Sequence, residues 1–200
     1  MSNTLAVLLK NPPSRFIYTS STGVYGDCGG GWVDESSLRR AIHPAGCRLI
    51  ETEDRLFASV EKDQFPGVVV RLSGIYGPNR IPGRDRVLKK EALRGGPESY
   101  LNLIHLDDLI PLLVAAAPIA KVGDCYLLSD DHPVQRKDYY AFLAERLGTP
   151  RFAPRWDPSD EQAVSRRCRN QKMKAHFQID LKYPSYREGL SALIPRGEAS

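Results

Sequence analysis

The sequence predicts an α/β fold organised around part of a parallel sheet. Three runs carry that expectation: Phe16–Ser20, Val68–Leu72 and Cys125–Ser129. The residues of each run are mostly apolar or aromatic on both faces of the pleat, as in a strand covered by helices on both sides. Between them lie segments whose apolar residues recur at helical spacing. Alternation of the two kinds marks strand–helix–strand units, whose crossovers are expected to be right-handed.

Taken in order, Thr4–Lys10 reads as the end of a helix stopped by Asn11-Pro12-Pro13. The strand at Phe16 then runs into three adjacent hydroxyls, Ser20, Ser21 and Thr22. In open α/β sheets the C-terminal end of a strand is where ligands bind. A turn whose hydroxyls satisfy their own backbone is the other reading of these three residues. Asp27–Arg40 is Gly-rich and polar and reads as an exposed loop.

Pro44 suits the first position of a helix, and Leu49, Leu56, Phe57 and Val60 continue it at helical spacing. Pro66-Gly67 closes that connection before the strand at Val68. Ser73–Arg84 is a second loop at a strand's C-terminal end, and its glycines with Arg80 and Arg84 suit close approach to an anionic ligand. A solvated basic loop is the alternative. Arg86–Arg94 reads as a helix and Tyr100–Ile104 as a strand, with Asp107 or Asp108 capping a helix through Ala117. Gln135–Leu147 is an amphipathic helix ended by Gly148 and Pro150. Arg151–Pro158 is irregular, Asn170–Phe177 and Ser185–Leu193 are short helices, and the tail from Pro195 is expected to fray.

Two hundred residues suit one domain with a sizeable core. The net charge of +4 is mild, and the one basic cluster, Arg166, Arg167, Arg169, Lys172 and Lys174, lacks the aromatic interleaving of a nucleic-acid site. It reads as a solvated helix face, so no nucleic-acid partner is expected. Cys28, Cys47, Cys125 and Cys168 are far apart and form no C-x-x-C pair, which argues against zinc and for a reduced, cytoplasmic setting. No apolar run reaches the ~18 residues of a membrane span.

Five stretches in order sharpen this. Thr19–Asp27 (TSSTGVYGD) is similar to the strand-four motif of the extended short-chain dehydrogenase/reductases, the NAD-dependent epimerase/dehydratase family. VVVRLSGIYGP at Val68–Pro78, NLIHLDDL at Asn102–Leu109, CYLLSDDHP at Cys125–Pro133 and YPSYREGL at Tyr183–Leu190 resemble further family motifs. The resemblance implies a partial Rossmann-type sheet over residues 1–130 and a small C-terminal substrate lobe over 131–200. It implies NAD or NADP as cofactor, a sugar nucleotide as ligand, and no metal. Carried over by position, Ser21 with Thr22 would polarise the reacting carbonyl or alcohol. Ser20, Ser73, Gly74 and Ile75 would face the cofactor, Arg80 and Arg84 the substrate, and His105, tempting as a base, would be a hydrogen-bonded structural histidine that orients the loop and helix start.

Two departures qualify those implications. The family's Tyr and the Lys four residues later fall here on Ala45 and Leu49, which cannot exchange or stabilise a proton. His43, Arg48 and Glu51 are the nearby ionisable groups and read as surface charges. The family's Gly-rich pyrophosphate loop, between a first strand and helix, has no counterpart, as if the chain begins near the fourth strand. The sequence therefore predicts an atypical, N-terminally truncated member with weak cofactor binding and little turnover. A catalytically inactive nucleotide-binding or scaffolding relic, or the C-terminal fragment of a split enzyme, is the alternative. The strand at Phe16 should then be an open edge that pairs with another copy or with an upstream polypeptide.

Overall fold

The computed structural model describes residues 2–149, 153–157 and 164–195. Most of Arg151–Pro158 is described, but the ends of that segment, and the tail after Pro195, lie outside these residues. Helix α1 (Ser2–Leu8) leads to β1 (Phe16–Ser21), a 3-10 turn (Thr22–Tyr25), β2 (Trp32–Val33) and α2 (Pro44–Asp63). Then come β3 (Gly67–Leu72), β4 (Gly74–Tyr76), α3 (Arg84–Leu88), β5 (Tyr100–Leu101), β6 (Leu103–His105) and α4 (Leu106–Ile119). The chain closes with β7 (Cys125–Leu128), β8 (Val134–Gln135), α5 (Arg136–Arg146), β9 (Arg167–Cys168), α6 (Gln171–Phe177) and α7 (Tyr186–Leu193).

The three strands read from the sequence form one parallel sheet in the order β1–β3–β7. Phe16 lies beside Gly67, Ser21 beside Leu72, and Val69 beside Cys125. Val68, Val69 and Val70 of the central strand are fully buried, because alternate side chains enter cores on opposite faces. Val69 packs with Leu5, Leu56, Phe65 and Cys125 on the side of α1 and α2. Val68 and Val70 pack with Leu109, Leu112, Met173 and Phe177 on the side of α4 and α6. A third core joins Tyr76 and Leu103 to Tyr139, Leu143 and Leu190 of α5 and α7. Among the described residues no helix is long and apolar enough to cross a membrane.

Several local expectations are corrected. The helix expected over Arg86–Arg94 is only α3, cut short where Lys90 adopts a left-handed φ of 55°. The single strand expected over Tyr100–Ile104 is two. Asn102 divides them, its side chain bonding Arg166 O at 2.9 Å and Cys168 N at 2.7 Å, so β5 pairs with β8 while β6 pairs with β4. The α4 cap is neither aspartate: His105 Nδ1 accepts the Asp107 N–H at 3.1 Å. Asp108 instead accepts the backbone N–H groups of Lys182 and Tyr183 at 2.7 and 3.0 Å. The Asp27–Arg40 loop contains β2, which pairs with β9.

The basic cluster is not a solvated helix face either. Arg167 lies 4.9 Å from the Trp32 ring centroid and 5.1 Å from that of Tyr100, Lys172 pairs with Asp124, and Lys174 pairs with Asp131 at 2.9 Å. These long side chains are used as stacking and pairing groups within the fold.

Gly26, which closes the 3-10 turn, has φ 67° and ψ −149°, a region essentially restricted to glycine. A Cβ there would lie 2.0 Å from Arg40 O. Strain and overlap together predict that Gly26→Ala costs on the order of 2–4 kcal/mol. Chemical denaturation checks this, and a loss below ~1 kcal/mol contradicts it.

Candidate functional site

The three hydroxyls after β1 have separate fates, set by pleat parity. Ser20 shares the parity of Phe16 and Tyr18 and turns toward α2, where its Oγ donates to Glu53 Oε1 at 2.6 Å. Ser21 Oγ accepts the Gly23 N–H at 3.1 Å and caps the 3-10 turn, while its O–H remains free to donate. Thr22 is buried, and Arg166 Nη2 donates to its Oγ1 at 3.5 Å.

The loop after β3 meets them at the same end of the sheet. Ser73 N–H donates to Leu128 O at 3.0 Å and Gly74 N–H to Asn102 O at 2.8 Å. A Cβ on Gly74 would sit 3.0 Å from Asn102 O, so this crossing needs a small residue. Ser73 is 7% exposed, yet its Oγ has no hydrogen-bond partner. A cavity of about 440 Å³ is lined by Ser20, Ser21, Thr22, Ser73, Gly74, Ile75 and Arg80, and by Tyr100, Asn102, Arg136 and Arg166. Arg84 is outside it, in an adjoining cavity of about 920 Å³ that shares Gly74, Ile75 and Arg80. The sequence-predicted residues thus converge, with two qualifications: the Ser20 hydroxyl is committed to Glu53, and Arg84 belongs to the neighbouring cavity.

Sequence reasoning missed Arg136 and Arg166. Arg136 opens α5, and its Nε donates to Ser99 Oγ at 2.9 Å. Arg166 Nη1 donates to Gly26 O at 2.9 Å, while its Nε is buried without a partner. Burial holds the Arg166 guanidinium below its ordinary pKa. Burial also pushes the neighbouring Cys168 thiol up to about 12, which keeps it protonated and inert.

Helix α2 offers the cavity no proton-transfer group. Ala45 is exposed, and Leu49 packs against the cluster of Val24, Tyr25 and Val33. His43, Arg48 and Glu51 are exposed and do not line the cavity. Deeper in, fully buried Glu53 accepts from Arg71 Nε and Nη2 at 3.1 and 2.8 Å and from Arg39 Nη1 at 3.1 Å. Burial opposes the Arg71 charge, but its bonds to Glu53 outweigh that and raise its pKa. His105 is buried and held below its ordinary pKa by burial, so it serves α4 as a neutral acceptor.

The chain's sequence and fold have relatives. Residues 1–117 match the NAD dependent epimerase/dehydratase family. The chain belongs to that family. Protein YeeZ of Escherichia coli K12 is 37% identical over 138 residues, 67% of this chain and 46% of that protein. The chain thus spans about half the length of this curated relative. A functionally unknown conserved protein from Silicibacter pomeroyi superposes with a TM-score of 0.80 at 31% identity, over 96% of this chain and 70% of that one. The dTDP-glucose 4,6-dehydratase of Bacillus anthracis, solved with NAD, gives a TM-score of 0.82 at 20% identity, over 96% and 64%. At that identity the likeness concerns the fold alone.

The family's dinucleotide is only partly matched by the residues present. Ser73 and the cavity fit a polar group at the strand ends. The glycine spacing of a pyrophosphate loop does occur, at Gly23, Gly26 and Gly29, contrary to the expectation that the chain has none. It starts inside the 3-10 turn and runs into the loop before β2, however, and presents no α-helix N-terminus to a pyrophosphate.

Proposed function

We propose that this chain is an epimerase/dehydratase-type protein that binds an anionic, sugar-nucleotide-like ligand in the cavity beyond β1 and β3. By itself it turns that ligand over slowly or not at all. The observation that carries this reading is the convergence of Ser21, Thr22, Ser73, Gly74, Ile75 and Arg80 on one cavity, with no acid/base group from α2. Ser21 would donate to a ligand carbonyl or hydroxyl, and Arg80 would meet its charge, with Arg84 serving a ligand that extends into the adjoining cavity. Without the Tyr-Lys pair, ~10²–10⁴ of rate is lost.

The test is saturation-transfer NMR with UDP-glucose and dTDP-glucose on the purified chain. Binding weakened by Ser73→Ala supports the reading, and absence of binding to both overturns it. In parallel, absorbance assays are expected to show no appreciable nicotinamide reduction, and calorimetry no micromolar affinity for NAD or NADP. Robust reduction abolished by Ser21→Ala would reveal another proton-transfer group.

A second reading is favoured by the position of β1 at the end of the sheet order. The chain would then work only as part of a larger assembly. An added strand, from a second copy or from an upstream polypeptide, would pair with β1.

A further inference from the structure

Three carboxylates are buried among the described residues: Glu53, Asp108 and Asp130. Two of them are satisfied as ions. Glu53 is met by Arg71, Arg39 and Ser20, and Asp108 by the backbone N–H groups of Lys182 and Tyr183. Asp130 is not. It is 1% exposed, its Oδ1 accepts the His132 N–H at 3.3 Å, and its Oδ2 has no partner among the described residues. The cation beside it, Lys174, goes to Asp131, which Asn170 also holds at 2.7 Å. A buried ion met so poorly is costly, and the neutral acid is the form such a place favours.

Asp130 occupies the junction between the sheet and the C-terminal helices. Its backbone N–H donates to Leu103 O of β6 at 2.7 Å, and that of Asp131 donates to Pro184 O at 3.0 Å, just ahead of α7. Asn170, at the start of α6, donates to Ser129 O at 2.9 Å. The titratable groups around the Asp130 side chain are Tyr76 of β4, Asp108 of α4, Glu188 of α7 and Cys168 of β9, with Asp131 and His132 beside it in the chain. His105 of β6, edge-on to Tyr76 at 5.0 Å, is neutral and leaves its buried Nε2 unbonded. Burial pushes the Asp130 carboxyl well above the ordinary carboxylate range, opposed by the His132 N–H and reinforced by Asp131, Glu188 and Asp108.

Tyr76 carries the junction outward. Its hydroxyl reaches Ser185 O only at 3.4 Å, and it lies so near α7 that a Cβ on Gly189 would sit 2.0 Å from it. The far end of α7, Leu193 and Ile194, lines the cavity of about 920 Å³ that holds Arg84. From this placement we propose that Asp130 is a proton-operated latch between the sheet and α7. With the proton on, a neutral acid fills the junction and α7 stays docked on Tyr76. When the proton leaves to solvent, the ion draws in water, and the contacts of α7 with Tyr76 and of Asp131 with Pro184 open, with them one wall of the adjoining cavity. The latch needs no ligand in either cavity. Because the folded chain holds this proton more tightly than the unfolded one, Asp130 supports docking fully below about pH 4 and less as pH rises toward its folded value.

The test is thermal unfolding and hydrogen exchange of the purified chain, wild type against Asp130→Asn, from about pH 5.5 to 8.5. Asparagine keeps the shape and cannot ionise. The wild-type melting temperature is expected to fall relative to the variant as pH rises, by about 3 °C or more at the alkaline end. Exchange of the α7 amides, corrected for intrinsic rates, is expected to rise up to ~10-fold per pH unit in the wild type and to stay flat in Asp130→Asn. Parallel pH profiles for the two proteins, or wild-type α7 amides equally protected throughout, overturn the latch. Should Asp130→Asn fail to fold, carboxyl-carbon NMR of the wild type decides. A carboxyl still protonated at about pH 6, with α7 exchange rising with pH, upholds the latch. One that ionises near pH 4, or α7 exchange indifferent to pH, overturns it.

Discussion

Glu53→Ala is expected to remove most of the stability of this chain. The carboxylate is fully buried and accepts from Ser20 Oγ, from Arg39 and twice from Arg71. Arg71 sits on the central strand, 3% exposed, and also donates to Tyr25 Oη at 2.9 Å and Glu35 O at 3.2 Å. Deleting the acid strands a guanidinium beneath the sheet's α2 face, a change that costs ~3–5 kcal/mol. Domains are stable by only ~5–15 kcal/mol. Urea unfolding followed by circular dichroism reads the loss, and a cost under ~1 kcal/mol would show that the network holds little. Replacing both partners, with Glu53→Leu and Arg71→Met, should recover much of it, because a well-packed apolar pair strands no charge. The same carboxylate fixes Ser20 at the rim of the cavity, so the damage should extend to ligand binding.

The purified chain is expected to associate through β1. This strand ends the sheet order, and the ladder to β3 uses alternate backbone groups, which leaves those of Ile17, Thr19 and Ser21 directed outward. Phe16–Ser21 contains no charge and no proline, the usual guards of an edge. Its side chains are partly covered. Phe16, Ile17 and Tyr18 are half-buried, and Phe16 packs on Phe65 with ring centroids 5.4 Å apart. The driving force is thus the open backbone edge more than bare apolar surface, aided by exposed Val7 on α1 and Ile110 and Val114 on α4. Sedimentation at micromolar concentration should show dimers or larger species, shifted toward monomer by Thr19→Lys on the exposed edge position. A soluble, cooperatively melting monomer would sink this expectation.

The sequence by itself determined the elements and their kind. Three two-sided apolar runs gave the parallel strands, Pro44 and the helical spacing to Val60 gave the start and course of α2, and five ordered motifs gave the family. It also placed Ser21, Thr22, Ser73 and Arg80 at one end of one sheet, since residues that follow parallel strands share an end. These signals are local, with periods of two or 3.6 residues.

What only the tertiary structure decided involves partners far apart in the chain. Arg166 reaches Thr22 across 144 positions, and Asn102 reaches Arg166 across 64. No short-range period encodes such meetings, so a basic cluster that reads as a solvated face supplies the cavity wall and the stacks on Trp32. Ser20 is intermediate. The pleat parity it shares with Phe16 and Tyr18 was legible, but its hydroxyl could be assigned only once Glu53 was seen beneath it. A hydroxyl goes to whichever buried acceptor tertiary packing brings within hydrogen-bond reach, and that acceptor sits on a helix 33 residues away.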